Sequence, residues 1–171
     1  FVESVKGISD ACKSLTLKHS PNDPTPIIAG NVSFYNESRN GAIPPSPIVS
    51  CLGKIDDINN AIGMSFISPN STIILIGKRK NELGGSAYYH LFNELGNSIP
   101  KPDLSEVKNQ IFALTDCIGS GLVLSCHDIS DGGIAVALAE MSFRNGLGCD
   151  VKIESDLEDG AVLFSETGGF I

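Results

Sequence analysis

The chain has 171 residues, 42% of them hydrophobic and 19% charged, which fits a folded domain with an ordinary core and excludes a disordered segment. Its formal net charge is −8, and the only basic run is Lys78-Arg79-Lys80, read as a solvated turn. That balance excludes a nucleic-acid backbone as partner, and no apolar run is long enough to cross a membrane.

Five cysteines, at positions 12, 51, 117, 126 and 149, form no CxxC pair. They read as free thiols in a reducing, cytoplasmic setting rather than as a disulfide framework or a zinc site. The Asn-x-Ser/Thr matches at Asn31, Asn36 and Asn70 are no more than composition produces by chance. Phe1 and Phe170-Ile171 read as the interiors of structural elements, so the chain is expected to be a piece of something longer.

Apolar residues at Val2, Val5, Ile8, Ala11, Cys12 and Leu15 predict a helix over 1–15. The stretch from Lys18 to Pro26 is turn-rich, and Ile27 to Ala29 reads as a short strand that runs into Gly30-Asn31-Val32-Ser33-Phe34-Tyr35-Asn36-Glu37. Gly and Pro between Ser38 and Pro47 forbid a helix there, and Ile48 to Leu52 reads as a further strand. Polar Lys54 to Asn60 reads as a link. Ser71 to Gly77 is the strongest strand candidate, a β-branched run expected to be buried on both faces.

Glu82 to Ser86 leads into a short helix near Tyr88 to Leu95. A longer helix opens at Pro102-Asp103-Leu104-Ser105, with Asp103 or Ser105 as N-cap, and ends at Gly119 to Gly121. Leu122 to Cys126 reads as a strand, His127 to Gly133 as a loop and Ile134 to Phe143 as a helix stopped by Asn145-Gly146. Cys149 to Ile153 and Ala161 to Phe164 read as the last strands. The alternation of strands and helices predicts an α/β or mixed α+β fold.

Three loops follow apolar runs, where open α/β folds place their ligands. In Gly30 to Glu37, glycine lets a phosphate approach the backbone, and Asn31 and Glu37 offer oxygens to Mg²⁺. Ser33 offers a hydroxyl to a substrate. The other reading is a Gly/Asn turn capped by Ser. In His127 to Gly133, Asp128 and Asp131 are either metal or phosphate contacts, or Ser130 or Asp131 simply caps the next helix. His127 and Cys126 do not form a nucleophile–base pair, because neighbours on a strand point to opposite faces. Leu83-Gly84-Gly85-Ser86 lacks the Walker pattern and reads as a helix entry.

Taken in order, VKGISDAC, IIAGNVSFYNE, AIPPSPIVSCLGKIDD, ELGGSAYY, SCHDISDGGIAVALAEM and LFSETGG resemble the second half of the large synthetase subunit of the phosphoribosylformylglycinamidine synthase family. The resemblance spans almost the whole chain. It implies part of an aminoimidazole-ribonucleotide-synthetase-like two-domain unit: 1–57 as a partial ATP-site domain, 58–70 as linker and 71–171 as a truncated C-terminal-type α+β domain.

It also implies an ATP-dependent ligase of purine synthesis, in which phosphate activates an amide oxygen for displacement by glutamine-derived ammonia. Gly30 would then contact ATP, Asn31 would bind Mg²⁺ and Ser33 the ribonucleotide substrate, with Glu37, Asp128 and Asp131 as further candidates. No catalytic residue falls in this chain, which is expected to be inactive alone. The implied partners are a glutaminase subunit and a small bridging subunit. Where the family carries arginine after the glycine that follows Ser165-Glu166-Thr167, this chain has Gly169, so LFSETGG is expected to be structural.

Overall fold

The computed structural model describes residues 2–31, 36–44 and 46–171. Helix α1 spans Val2–Ser14, and a two-stranded antiparallel sheet pairs β1 (Thr16–Leu17) with β2 (Ser20–Pro24). A second small hairpin pairs β3 (Glu37–Ser38) with β4 (Gly41–Ala42), and a 3₁₀ turn follows at Ile58–Asn60. Four more helices complete the order: α2 (Ala87–His90), α3 (Leu104–Gly119), α4 (Gly133–Ser142) and α5 (Asp159–Phe164). Helices with small sheets make this the expected mixed α/β fold.

Local chemistry accounts for the helices. Asp103 is the N-cap of α3, its carboxylate accepting from the backbone N–H groups of Ser105 and Glu106 and from the Ser105 hydroxyl. Bonding to Ser105 and to those two N–H groups holds the Asp103 carboxyl below the usual carboxylate range. At the far end, Leu122 N–H returns to the Cys117 carbonyl across Gly121, which adopts a positive φ. Helix α4 is apolar nearly all round, and its buried residues Ile134, Ala137, Leu138 and Met141 form the centre of the core.

The strands depart from expectation. Ala161 to Phe164 is helical, within α5: a short apolar run suits a buried helix as well as a strand, and here it packs Ala161 and Val162 inward against α4. Gly133 makes that packing close, since a Cβ there would stand 2.6 Å from the Leu163 carbonyl oxygen. The turn-rich segment holds β2 instead of a loop. Ile27–Ala29, Ile48–Leu52, Leu122–Cys126 and Cys149–Ile153 join no sheet among the described residues. Of Ser71–Gly77 only Ile76 is bridged, and Ile74 is 65% exposed rather than buried. An apolar alternation can propose a strand, but only a neighbouring backbone can supply its ladder.

That neighbour, for Ile76, is the segment 165–171. Ile76 and Phe170 exchange backbone hydrogen bonds of 2.8 and 3.0 Å, and His127 and Ile171 exchange two of 2.9 Å. Ile129 N–H adds a bond to the Gly169 carbonyl. The segment therefore threads between 76–79 and 127–129. Two glycines permit it: Gly169 has φ +123, and a Cβ on it would run into the Ile76 carbonyl oxygen, while Gly77, φ +102, has the Gly169 Cα at 3.3 Å from its own Cβ position.

The core formed around this thread is Ile129, Ile134, Ala137 and Leu138, with Phe66, Ile73 and Ile171 packed against it. Among the described residues, none before Glu82 is fully buried. Segment 63–66 is tied to the core by Phe66 N–H to the Met141 carbonyl and by Cys126 N–H to the Gly63 carbonyl. Helix α1 contacts α3, and Lys18 Nζ reaches Thr115 and Asp116 on it. No helix among the described residues is long and apolar enough to cross a membrane.

Replacing Gly169 by Ala combines backbone strain with overlap against Ile76, and the expected loss is about 2 kcal/mol or more in chemical denaturation. For Asp103, the folded carboxyl titrates below its unfolded value, so its stabilising effect is present above the unfolded pKa of about 3.9 and fades as pH falls through the folded one. Asp103→Ala should lower the melting temperature at neutral pH, and that difference should shrink on acidification.

Candidate functional site

Gly30 and Asn31 lie in irregular, exposed backbone ahead of β3. Among the described residues, nothing lies within 4 Å of a Cβ placed on Gly30, so the backbone there is open to close approach. Ser33 lies outside the described residues. Glu37 opens β3, exposed, opposite Ala42. In the 127–133 loop, Asp128 and Asp131 are exposed while Ile129, between them, is buried in the core. Ile129 is the anchor that holds this loop against the molecule. Among the described residues no group of three or more His, Cys, Asp or Glu stands together as a metal cluster.

Neither Ser130 nor Asp131 caps α4. The N-cap is Gly132, in a left-handed conformation with no side-chain cap of its own. Its N–H donates instead to Glu166 Oε1 at 2.8 Å, and the same oxygen accepts from Ala87 N–H at 2.9 Å. One carboxylate thus joins the entry of α4 to the entry of α2. The Gly84-Gly85-Ser86 stretch is that second entry: Ser86 is the buried N-cap of α2, accepting from Tyr89 N–H and donating to the Leu83 carbonyl at 2.7 Å. Close packing also forces glycine at Gly84, where a Cβ would lie 2.8 Å from Ser98.

Arg79 departs from the solvated turn expected for Lys78-Arg79-Lys80. It is partly buried and donates to the Ser165 and Gly168 carbonyls, bracing the turn on which Glu166 sits. Burial lowers the guanidinium pKa, and the neighbouring Glu82 carboxylate partly offsets that. Ser165 is completely buried, its hydroxyl 2.5 Å from that of Thr167. The SETGG turn is therefore built from backbone capture, not from side chains aimed at solvent.

The His127 ring is engaged by carboxylates and not by Cys126. Its Nε2 lies 3.0 Å from Glu140 Oε2 and its Nδ1 lies 3.3 Å from Asp128 Oδ1. Burial, with a contribution from Asp128, raises the Cys126 thiol pKa, which marks a quiet thiol rather than a nucleophile. A largely apolar cavity of about 860 Å³ opens between Phe66, Ile73, Leu114, Leu124, Met141 and Ile171. Its lining includes none of Gly30, Asn31, Glu37, Asp128 or Asp131.

Glu166 and Arg79 were visible in the sequence as residues, but not as a clamp and its brace. Glu166 lies 79 positions from Ala87 and 34 from Gly132, and no local spacing connects them. Glu140 offered one signal: it is the sole charge in the apolar run of α4.

The structure is a mixed α/β body in which one carboxylate joins two helix entries, and comparison with known proteins assigns its family. Residues 68–171 match the family described as AIR synthase related protein, C-terminal domain, and the chain belongs to this family. Over its whole length the chain is 41% identical to the phosphoribosylformylglycinamidine synthase subunit PurL of Methanothrix thermoacetophila. It is 39% identical over 98% of its length to the protein of that name from Alkaliphilus metalliredigens, and 41% identical over all of it to that from Thermoplasma volcanium. The chain spans 22–23% of the length of these relatives.

Removing the clamp with Glu166→Ala leaves the Gly132 and Ala87 N–H groups without their acceptor, and a loss of about 1–3 kcal/mol is expected. Amide hydrogen exchange should accelerate at those two positions, and less so in Glu166→Gln, which keeps an acceptor oxygen. The Cys126 thiol should be alkylated more slowly than exposed Cys51, and its rate should continue to rise at higher pH than for an ordinary thiol.

Proposed function

We propose that this chain is a segment of an ATP-dependent, amidine-forming ligase of purine synthesis, acting on formylglycinamide ribonucleotide within the larger protein. The observation that carries the reading is the 41% identity, over the whole chain, to a subunit of the synthase of that name. The segment alone would be inactive, because it corresponds to less than a quarter of such a subunit.

In this reading Gly30, Asn31 and Ser33 form one wall of the site. The open space over Gly30 and the exposed amide of Asn31 fit a phosphate held with Mg²⁺: a bare backbone for close approach and a neutral, hard oxygen for the ion. Glu37, at the start of β3, would add a carboxylate. Bound Mg²⁺-ATP would supply the phosphoryl group that turns an amide oxygen into a good leaving group. The work of this chain is to bind and orient, with Gly30 at ATP, Asn31 at the ion and Ser33 at the ribonucleotide.

Asp128 and Asp131 are secondary candidates, exposed on a loop whose backbone is already held by Ile129 and Glu166. Residues 1–57 would belong to an ATP-site domain, 58–70 to a linker and 71–171 to a C-terminal-type domain; that burial among the described residues starts only at Glu82 supports that division. A glutaminase subunit supplying ammonia and a small bridging subunit are the partners we infer, in the cytoplasm.

A second reading, that this half binds nucleotide without turning it over, draws on Glu166, whose carboxylate is spent on backbone N–H groups. Asn31→Ala in the full-length subunit, assembled with its partners, separates the two. Catalysis predicts turnover falling by about 10- to 100-fold or more, with unchanged melting and partial recovery at raised Mg²⁺. Unchanged turnover with a lower melting temperature would sink the catalytic reading.

A further inference from the structure

The chain contains the tripeptide Arg-Asn-Gly twice, at Arg39-Asn40-Gly41 and Arg144-Asn145-Gly146. Asn-Gly is the pair most open to spontaneous cyclisation, because glycine puts no Cβ in the way of the attacking nitrogen. With the same flanking residues, the two copies have the same local chemistry, so any difference between them is set by the fold.

The surroundings differ in the feature that matters. Both asparagines are exposed, so water reaches both. Asn145 is tethered: its Nδ2 donates to the Phe66 carbonyl at 2.9 Å, across 79 positions. It also sits in the left-handed region, φ 62, followed by Gly146 at φ 63. To react, its side chain must leave Phe66 and swing back onto its own C-terminal peptide. Asn40 lies in the two-residue turn between β3 and β4, where Ser38 Oγ accepts from its backbone N–H and donates to the Gly41 carbonyl. Its side-chain amide makes no hydrogen bond among the described residues, and its backbone is not left-handed.

We infer that Asn40 is a site of spontaneous deamidation in the folded protein, and that the Asn145–Phe66 hydrogen bond protects its sequence twin. The Gly41 nitrogen attacks Asn40 Cγ and gives up its proton, and ammonia leaves as a five-membered imide forms. Water then opens either carbonyl of the imide, giving aspartate or isoaspartate. One water is consumed and one ammonia released, with no oxidant or metal needed. The product adds a negative charge to a hairpin that already carries Glu37, and the iso form lengthens the backbone within a two-residue turn.

The test is to hold the purified full-length protein at mildly alkaline pH and follow both peptides by mass spectrometry, with isoaspartyl methyltransferase labelling. A parallel sample is kept in denaturant. Folded protein should gain about one dalton at Asn40 while Asn145 lags by about two- to tenfold from its hydrogen bond alone. In denaturant the two rates should converge. Equal rates in the folded protein, or a faster Asn145, would overturn the inference, as would a rate difference that persists in denaturant.

Discussion

The structure depends on one backbone contact, the passage of residues 165–171 between 76–79 and 127–129. Hydrogen bonds from Ile76, His127 and Ile129 to Phe170, Ile171 and Gly169 bring together segments about 40 and 90 positions apart. At Gly169 the approach leaves no room for a Cβ, which would run into the Ile76 carbonyl oxygen, and at Gly77 the space beside the Gly169 Cα is tight. Once this thread is seated, Glu166 falls beside the entries of α2 and α4, and Arg79 reaches the carbonyls of the same turn.

Energetics follow the same geography. The buried apolar residues run from Leu83 to Val162 and concentrate where α4 meets α5. Each fully buried aliphatic side chain there contributes about 1.5–3 kcal/mol relative to exposure. The N-terminal segment contributes little of this kind: it is joined to α3 through Lys18 and Asp116, a pair whose carboxylate side is 70% exposed. Such a contact is worth about 0–1 kcal/mol. Exposed Ile27, Ile28, Ile48 and Leu52 leave apolar surface on the same segment.

This division bears on how an acidic chain can serve an anionic ligand. With a net charge of −8, attraction cannot come from side-chain cations. In the proposed reading it would come from backbone N–H groups and from a metal ion held by neutral or acidic oxygens. In that reading Gly30 and Asn31 would serve this purpose, since a Cβ on Gly30 would meet no described atom within 4 Å. Around 127–133 the available N–H of Gly132 is already committed to Glu166.

Much of this was legible in the sequence. Helix α3 and its Asp103 cap, the apolar stripe of α1, the helix entry at Ser86 and the stop at Asn145-Gly146 are local matters, settled by residues within a turn of one another. Family membership was legible too, because ordered motifs survive as strings. What only the tertiary structure decided are relations between distant positions. Ala161–Phe164 became helix because it packs on α4. Glu166 displaced Ser130 and Asp131 as the partner of the α4 entry, and Arg79 was drawn from solvent to the SETGG carbonyls. The two Arg-Asn-Gly copies put the division most plainly: their chemistry is written identically in the chain, and a single hydrogen bond to Phe66, made only in the fold, tells them apart.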